Sequence, residues 1–85
     1  MSGILQSVLF EKDKWTIQEA IRWLLDHDHK VKKIDITTYF ARFRQISPES
    51  LRKKGYIEYR NKNIGHGIRL VIAYKPNQSS VLDIP

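Results

Sequence analysis

The chain of 85 residues contains no cysteine. This absence excludes disulfide bonds, thiolate zinc sites and cysteine nucleophiles, and it favours an intracellular protein. No stretch approaches the run of about 18 apolar residues that a membrane-spanning helix needs, so we expect no membrane partner. The N-terminus has no basic segment followed by a long apolar stretch, and we expect no signal peptide. Repeats, low-complexity tracts and linkers are also lacking, which predicts a single domain.

Acidic residues are few relative to basic ones. The chain has 15 basic and 9 acidic side chains and a net charge of +6. Residues 11–29 carry five acids and three bases, whereas residues 30–75 carry twelve bases and three acids. Such an excess of one sign attracts anions and favours a polyanionic partner. The alternative is a solvated basic surface that binds nothing.

A helix is predicted to begin at Thr16, because Thr16 and Glu19 have the spacing of a capping box. Its apolar residues recur at intervals of three and four, which predicts one buried stripe: Ile17, Ala20, Ile21, Leu24 and Leu25. Trp15 and Trp23 flank this stripe. We expect both indoles to close the edges of the core; stacking on nucleic-acid bases is the alternative.

Strands are predicted where apolar residues alternate with polar ones or form short runs. Four segments qualify: 4–10, 34–45, 56–62 and 68–75. Side chains alternate between the two faces of an extended strand, so one set in each segment should face the core. In segment 34–45 we expect that set to be Tyr39, Ala41 and Phe43. In segment 56–62 we expect it to be Ile57 and Tyr59.

Turn and cap residues separate the strands of the second half. Ser47 as a helix cap and Pro48 at the first helical position predict a short helical segment that ends at Gly55. Two glycines within residues 63–67 predict a hairpin loop between the last two strands.

The predicted fold class is α+β. We expect a single small domain over residues 1–75, with an antiparallel sheet in β-α-β-β-β order and one amphipathic helix packed on one face. Residues 76–85 are expected to form a flexible C-terminal tail. Burial of large apolar side chains should be the main stabilising contribution. The predicted cluster consists of Ile21, Leu24, Phe43, Tyr59 and Leu70.

Arg42 and Arg44 are the most suggestive pair of cations. They are two residues apart in an extended strand, so they lie on one face and are separated by about 7 Å. This separation matches the spacing of consecutive phosphates in a nucleic acid. We expect Phe40 beside them, and Arg60 and Lys62 on a neighbouring strand. An edge-protecting or acid-paired surface is the alternative. The predicted nucleic-acid-binding residues are Arg42, Arg44, Arg52, Lys53, Lys54, Arg60, Lys62 and Arg69.

Histidines and carboxylates do not combine into a predicted catalytic or metal site. His27 and His29 supply two ligands where zinc requires three or four, and His66 lies far along the chain. The acids fall mostly on the predicted surface of the helix, without a partner that would make a nucleophile or a general base. We therefore expect no catalytic residue, no metal, no cofactor and no small-molecule substrate.

Two sequence blocks form an unusual joint pattern. Residues 15–24 contain Trp15-Thr16, Glu19-Ala20 and Trp23-Leu24, and Arg42-Phe43-Arg44-Gln45 precedes Pro48. The pattern W-T-x-x-E-A-x-x-W-L … R-F-R-Q-x-x-P resembles a small domain in proteins of tailed phages, often near head-assembly and prohead-protease genes. It also resembles short open reading frames of large double-stranded DNA viruses. The resemblance covers about residues 14–74.

This resemblance implies a viral origin and a compact accessory domain, and it transfers no catalytic residue. The phage sequences often carry an acidic stretch before the aromatic strand. In this chain Lys32 and Lys33 occupy that region with a single acid, Asp35, so the chain is the more basic.

The sequence thus predicts a small non-enzymatic viral accessory protein, intracellular in the virion or the infected host cell. Its expected partner is the phosphate backbone of DNA or RNA, bound through a basic sheet face without reading the bases. Contact with about five phosphates would give a salt slope near −4.5. The alternative is a protein-interaction or virion-assembly module that docks a viral or host protein by strand addition, at a sheet edge or through residues 81–84.

Overall fold

The computed structural model describes residues 3–76. Within them the chain forms five strands and two helices, in this order: β1 (Ile4–Glu11), α1 (Ile17–Asp26), β2 (Lys33–Ile36), β3 (Phe40–Arg44), α2 (Pro48–Lys53), β4 (Glu58–Gly65) and β5 (Ile68–Tyr74). The strands form one sheet in the order β2-β3-β1-β5-β4, and every neighbouring pair is antiparallel.

The predicted α+β class with an antiparallel sheet is confirmed. The predicted tail lies outside the described residues from residue 77 onward. Neither helix in residues 3–76 is long and apolar enough to cross a membrane.

The predicted capping box begins α1. The Glu19 backbone N–H donates to Thr16 Oγ1 at 3.1 Å, and the Thr16 N–H donates to Glu19 Oε1 at 2.9 Å. These bonds satisfy two of the backbone donors that every helix leaves unpaired at its first turn.

The buried stripe of α1 is narrower than predicted. Ala20 and Leu24 are buried and Ile21 is partly buried, but Leu25 is 59% exposed and Ile17 is 38% exposed. Each residue advances about 100° around a helix, so Leu25 and Trp23 lie on opposite sides of Leu24. The larger Trp23 packs on the core and turns Leu25 toward solvent.

The core lies between α1 and the middle of the sheet. Phe10 is at its centre, with edge-to-face contacts to Trp15, Trp23 and Phe43 at centroid distances of 5.1, 5.6 and 5.6 Å. Both indoles therefore close the edges of the core, as predicted. The other buried members of the cluster are Val8, Ala20, Leu24, Ala41 and Ile68.

The predicted strand 34–45 is two strands joined by a tight turn. The Thr37 N–H donates to the Phe40 carbonyl at 2.8 Å, and the Phe40 N–H donates to Thr37 Oγ1 at 3.0 Å. Ala41 and Phe43 are buried as predicted, but Tyr39 lies in the turn and is 74% exposed. Its predicted place in the core is wrong, because the chain reverses direction at this residue.

β4 is an edge strand whose eight residues are all exposed. The prediction that Ile57 and Tyr59 face the core is wrong. The register pairs Tyr59 with Ala73 on the face away from α1, and Arg60 with Ile72 on the face of α1. Tyr59 therefore faces away from the helix that covers the core, on the outermost strand of the sheet.

The short helix α2 begins at a serine cap and ends before a glycine. Ser47 caps this helix by accepting from the Ser50 N–H at 3.1 Å, Pro48 follows the cap, and Gly55 ends the segment at φ 86°, as predicted. Leu51 is buried but does not belong to the cluster around α1. Val71 and Ala73 are also buried on the face away from α1, which indicates that α2 packs there.

Candidate phosphate-binding site

The structure divides the eight predicted binding residues among three places. Arg42, Arg44 and Arg69 lie on the sheet face opposite α1. Arg52, Lys53 and Lys54 lie at the end of α2. Arg60 and Lys62 lie on β4 and point to the face that α1 occupies. The predicted proximity of Arg60 and Lys62 to Arg42 is wrong, because β1 and β5 separate β3 from β4.

Arg42 is occupied by contacts within the protein. Its Nε donates to Ser7 Oγ at 3.0 Å and its Nη2 donates to Gln6 Oε1 at 2.8 Å. Gln6 and Ser7 lie where the pairing of β1 with β5 shifts register, and both side chains are buried. Buried polar atoms need hydrogen-bond partners, and Arg42 supplies them to Gln6 and Ser7 at the β-bulge of β1.

Arg69 and Arg60 each lie over an aromatic ring. The Arg69 guanidinium is 5.3 Å from the centroid of Phe40, and Arg60 is 5.4 Å from that of Tyr74. Arg60 also lies 3.8 Å from a carboxylate oxygen of Glu58. Both arginines thus have intramolecular partners, although Arg60 is mostly exposed.

Most other cations of the described chain gather where β3 and β5 finish and β2 and β4 begin. We call this surface the basic end and define it by residues 30–33, residues 44–54 and Lys75. Glu49 is the acid within these segments, and Asp28, Asp35 and Glu58 flank them. The cations of the basic end are Lys30, Lys32, Lys33, Arg44, Arg52, Lys53, Lys54 and Lys75.

A pocket of about 360 Å³ opens in the basic end. It lies between residues 27–32, which connect α1 to β2 and are called the connector, the end of β3 and the start of α2. The antiparallel register pairs Lys33 with Arg44 across β2 and β3, which brings two cations to one wall. The lining residues are Lys30, Lys32, Lys33, Arg44, Gln45, Ile46, Ser47 and Ser50.

Gln45 holds the connector against the end of β3. Its Oε1 accepts from the Lys30 N–H at 2.8 Å, and its Nε2 donates to the Lys30 carbonyl at 2.9 Å. The amide thus bonds both backbone groups of Lys30, as a neighbouring strand would. This pair of hydrogen bonds fixes the wall that carries Lys30 beside Arg44.

We expect Gln45→Ala to loosen this wall. Loss of the side-chain hydrogen bonds of Gln45 should lower the free energy of unfolding by about 1–3 kcal/mol and speed hydrogen exchange of the Lys30 amide. NMR-detected exchange measures the second effect directly. Gln45→Glu is the matched control, because a carboxylate still accepts from the Lys30 N–H and should retain part of its protection. Equal protection in wild type and Gln45→Ala would contradict the role given to Gln45.

The cations of the pocket differ in how far they are neutralised. Arg44 Nη2 lies 3.0 Å from Asp35 Oδ2, a charge-assisted contact that orients the guanidinium. Among residues 3–76, no carboxylate lies within 4.0 Å of the ammonium groups of Lys30, Lys32 or Lys33. The acid contact at Arg44 agrees in part with the acid-paired alternative, and the lysines supply the charge that remains.

The lysines of the connector are the residues that sequence reasoning missed as binding candidates. Their signal is the basic run Lys30-x-Lys32-Lys33 directly after the helix. A single strand over 34–45 would leave this run far from Arg44. The turn at Thr37 instead returns the chain and aligns Lys33 with Arg44.

The histidines take structural positions. The His27 ring stacks on Trp23 at a centroid distance of 3.8 Å, and His27 Nδ1 lies 2.7 Å from the Trp23 carbonyl oxygen. The His66 carbonyl accepts from Trp15 Nε1 at 2.6 Å at the opposite end of the sheet. In the part of the chain that the structure describes, no group of three or more potential metal ligands comes together.

Comparison of the chain with protein-family models, with curated proteins and with solved structures found no match. The resemblance to phage and viral domains therefore stays a prediction.

Proposed function

We propose that this protein binds nucleic acid through its basic end, by contacts to backbone phosphates and without reading the bases. Its role would be that of a non-enzymatic accessory protein. The viral setting, in the virion or in the infected host cell, is proposed on the resemblance of residues 14–74 alone. The observation that carries the proposal is the gathering of eight cations at one end of the sheet, where Glu49 lies among them and Asp35 pairs with Arg44.

The chemistry of these cations favours phosphate contact over base recognition. Six of the eight are lysines, whose ammonium groups are compact charges on flexible stems. Such groups neutralise phosphates over a range of positions, whereas base recognition requires donors fixed against base edges in a groove. Arg42, the best fixed guanidinium of the sheet, is turned inward to Gln6 and Ser7.

Salt dependence of the affinity tests this proposal. Each phosphate that the protein neutralises releases condensed counterions. If about five cations of the basic end make such contacts, log K should fall against log salt with a slope near −4.5 for duplex and −3.5 for single-stranded DNA. Fluorescence anisotropy with labelled oligonucleotides over a series of salt concentrations measures both slopes. Absence of binding at low salt would refute the proposal.

The exposed edge of β4 favours a second candidate, a protein-interaction module. Eight consecutive residues of this strand are exposed, and its outer side pairs with no strand among the described residues. An extended segment of a partner could add to this edge, with Ile57 and Ile64 as exposed apolar contacts. Binding of this kind depends weakly on salt, so the same titrations separate the two candidates.

A further inference from the structure

We infer that the pocket of the basic end binds a phosphate monoester, and that its ligand is the terminal phosphate of a nucleic-acid strand. This inference deepens the proposed function, on which the choice of ligand rests. It concerns the pocket itself, whereas backbone phosphates can be bound across the whole basic end.

The charge of the pocket matches a monoester better than a backbone phosphodiester. Four of its eight lining residues are cations and none is an acid. A phosphodiester carries one negative charge, whereas a phosphate monoester carries about −1.5 to −2 at neutral pH and offers three oxygens as strong acceptors. The additional charge and the additional acceptor oxygen can be satisfied only where several donors converge on one group.

Several lining residues are held by contacts within the protein. Asp35 orients the Arg44 guanidinium, and Gln45 fixes the backbone at Lys30. Ser47 Oγ and Ser50 Oγ lie 2.9 Å apart, so one hydrogen bond joins the two hydroxyls and uses one of their two hydrogens. Guanidinium, ammonium and hydroxyl donors thus come from the connector, β3 and α2.

The size of the pocket favours the end of a strand over its middle. A volume of about 360 Å³ is at the small end of ligand pockets, which span about 300–1,000 Å³. Gln45, Ile46 and Ser47 contribute to its wall. An internal phosphodiester has a nucleoside on each side, and both restrict how far its phosphate can enter the pocket. A terminal phosphate has one substituent and can enter with its free oxygens first.

Two oligonucleotides of one sequence test the inference, one with a terminal phosphate and one with a terminal hydroxyl, at each end of the strand in turn. At one end we expect the phosphorylated oligonucleotide to bind about tenfold more tightly, because the terminal phosphate adds a charge-assisted hydrogen bond to the complex. Lys30→Gln with Lys33→Gln should reduce this ratio to nearly one. The matched control, Lys53→Gln with Lys54→Gln, removes two cations of the basic end outside the pocket. It should weaken both oligonucleotides and keep their ratio.

The outcomes separate this inference from the proposed function. If both oligonucleotides bind equally with steep salt dependence, the proposed function stands and the terminal phosphate is not the ligand. Titration with inorganic phosphate, followed through the NMR signals of Gln45 and Ser50, then tests whether the pocket binds a small phosphate compound instead. Shifts that saturate would support a monoester site for a small phosphate compound. Absence of both the tenfold ratio and these shifts would overturn the inference. If neither oligonucleotide binds, the proposed function fails, and the phosphate titration still decides whether the pocket binds a monoester.

Discussion

Replacement of Leu24 by aspartate is expected to unfold the protein. Leu24 is fully buried in the cluster that contains Phe10 and Phe43. Removal of a buried leucine side chain costs about 2–5 kcal/mol, and burial of an unpaired carboxylate costs several kcal/mol more. A domain of this length is stable by about 0.05–0.15 kcal/mol per residue, so the substitution removes an amount similar to the whole stability.

Leu25→Asp is the matched control for this prediction. It makes the same chemical change one position later in the same helix, where the side chain is 59% exposed. Any effect of an acidic residue on the last turns of α1 is then common to both variants. We expect circular dichroism of Leu25→Asp to show a cooperative thermal transition within a few degrees of wild type. The same spectrum and transition in Leu24→Asp would contradict the described core.

Local signals predicted the parts of the fold that depend on neighbouring residues. The hydroxyl of Thr16 and the carboxylate of Glu19 form their capping box from within one turn of helix. Ser47 and Pro48 begin α2 for the same kind of reason. The alternation of Ala41 and Phe43 was sufficient to identify buried positions on β3. In each case the determining interaction spans about four residues or depends on the side-chain period alone.

The turn between β2 and β3 could not be found in this way. Thr37, Thr38 and Tyr39 are residue types that favour strands, and residues 36–40 contain no glycine, proline, asparagine or aspartate to mark a turn. The turn depends on the hydroxyl of Thr37, which accepts from the Phe40 N–H. Because this turn was missed, one strand was predicted where the structure has two. The pairing of Lys33 with Arg44 was therefore not predicted either.

The residues that meet in the candidate site depend on the order of the strands in the sheet. The spacing of apolar residues along the sequence does not indicate that order. The sequence identified the sign of the charge and its concentration after residue 30, and these agree with the basic end. It could not indicate that β1 and β5 separate Arg42 from Arg60. It also could not indicate that Gln6 and Ser7 occupy the guanidinium of Arg42. Both facts follow from contacts between residues far apart in the chain.

Charge reversal at the basic end should weaken nucleic-acid binding strongly. Lys32→Glu with Lys33→Glu removes two cations that line the pocket and adds two carboxylates beside Lys30 and Arg44. Loss of two phosphate contacts, together with repulsion of the phosphates by the new carboxylates, should lower the affinity about a hundredfold at low salt. The salt slope for duplex DNA should become shallower by about 1.8. Both lysines are exposed, so the variant should remain folded.

The measurement that tests the central claim is a comparison of this variant with Arg60→Glu, Lys62→Glu under the same conditions. Both variants make the same change in net charge, but the second places it on β4, outside the basic end. Anisotropy titrations should give about a hundredfold loss of affinity for the first variant and at most a few-fold loss for the second. Equal losses in the two variants, or a larger loss on β4, would contradict the assignment of phosphate binding to the basic end.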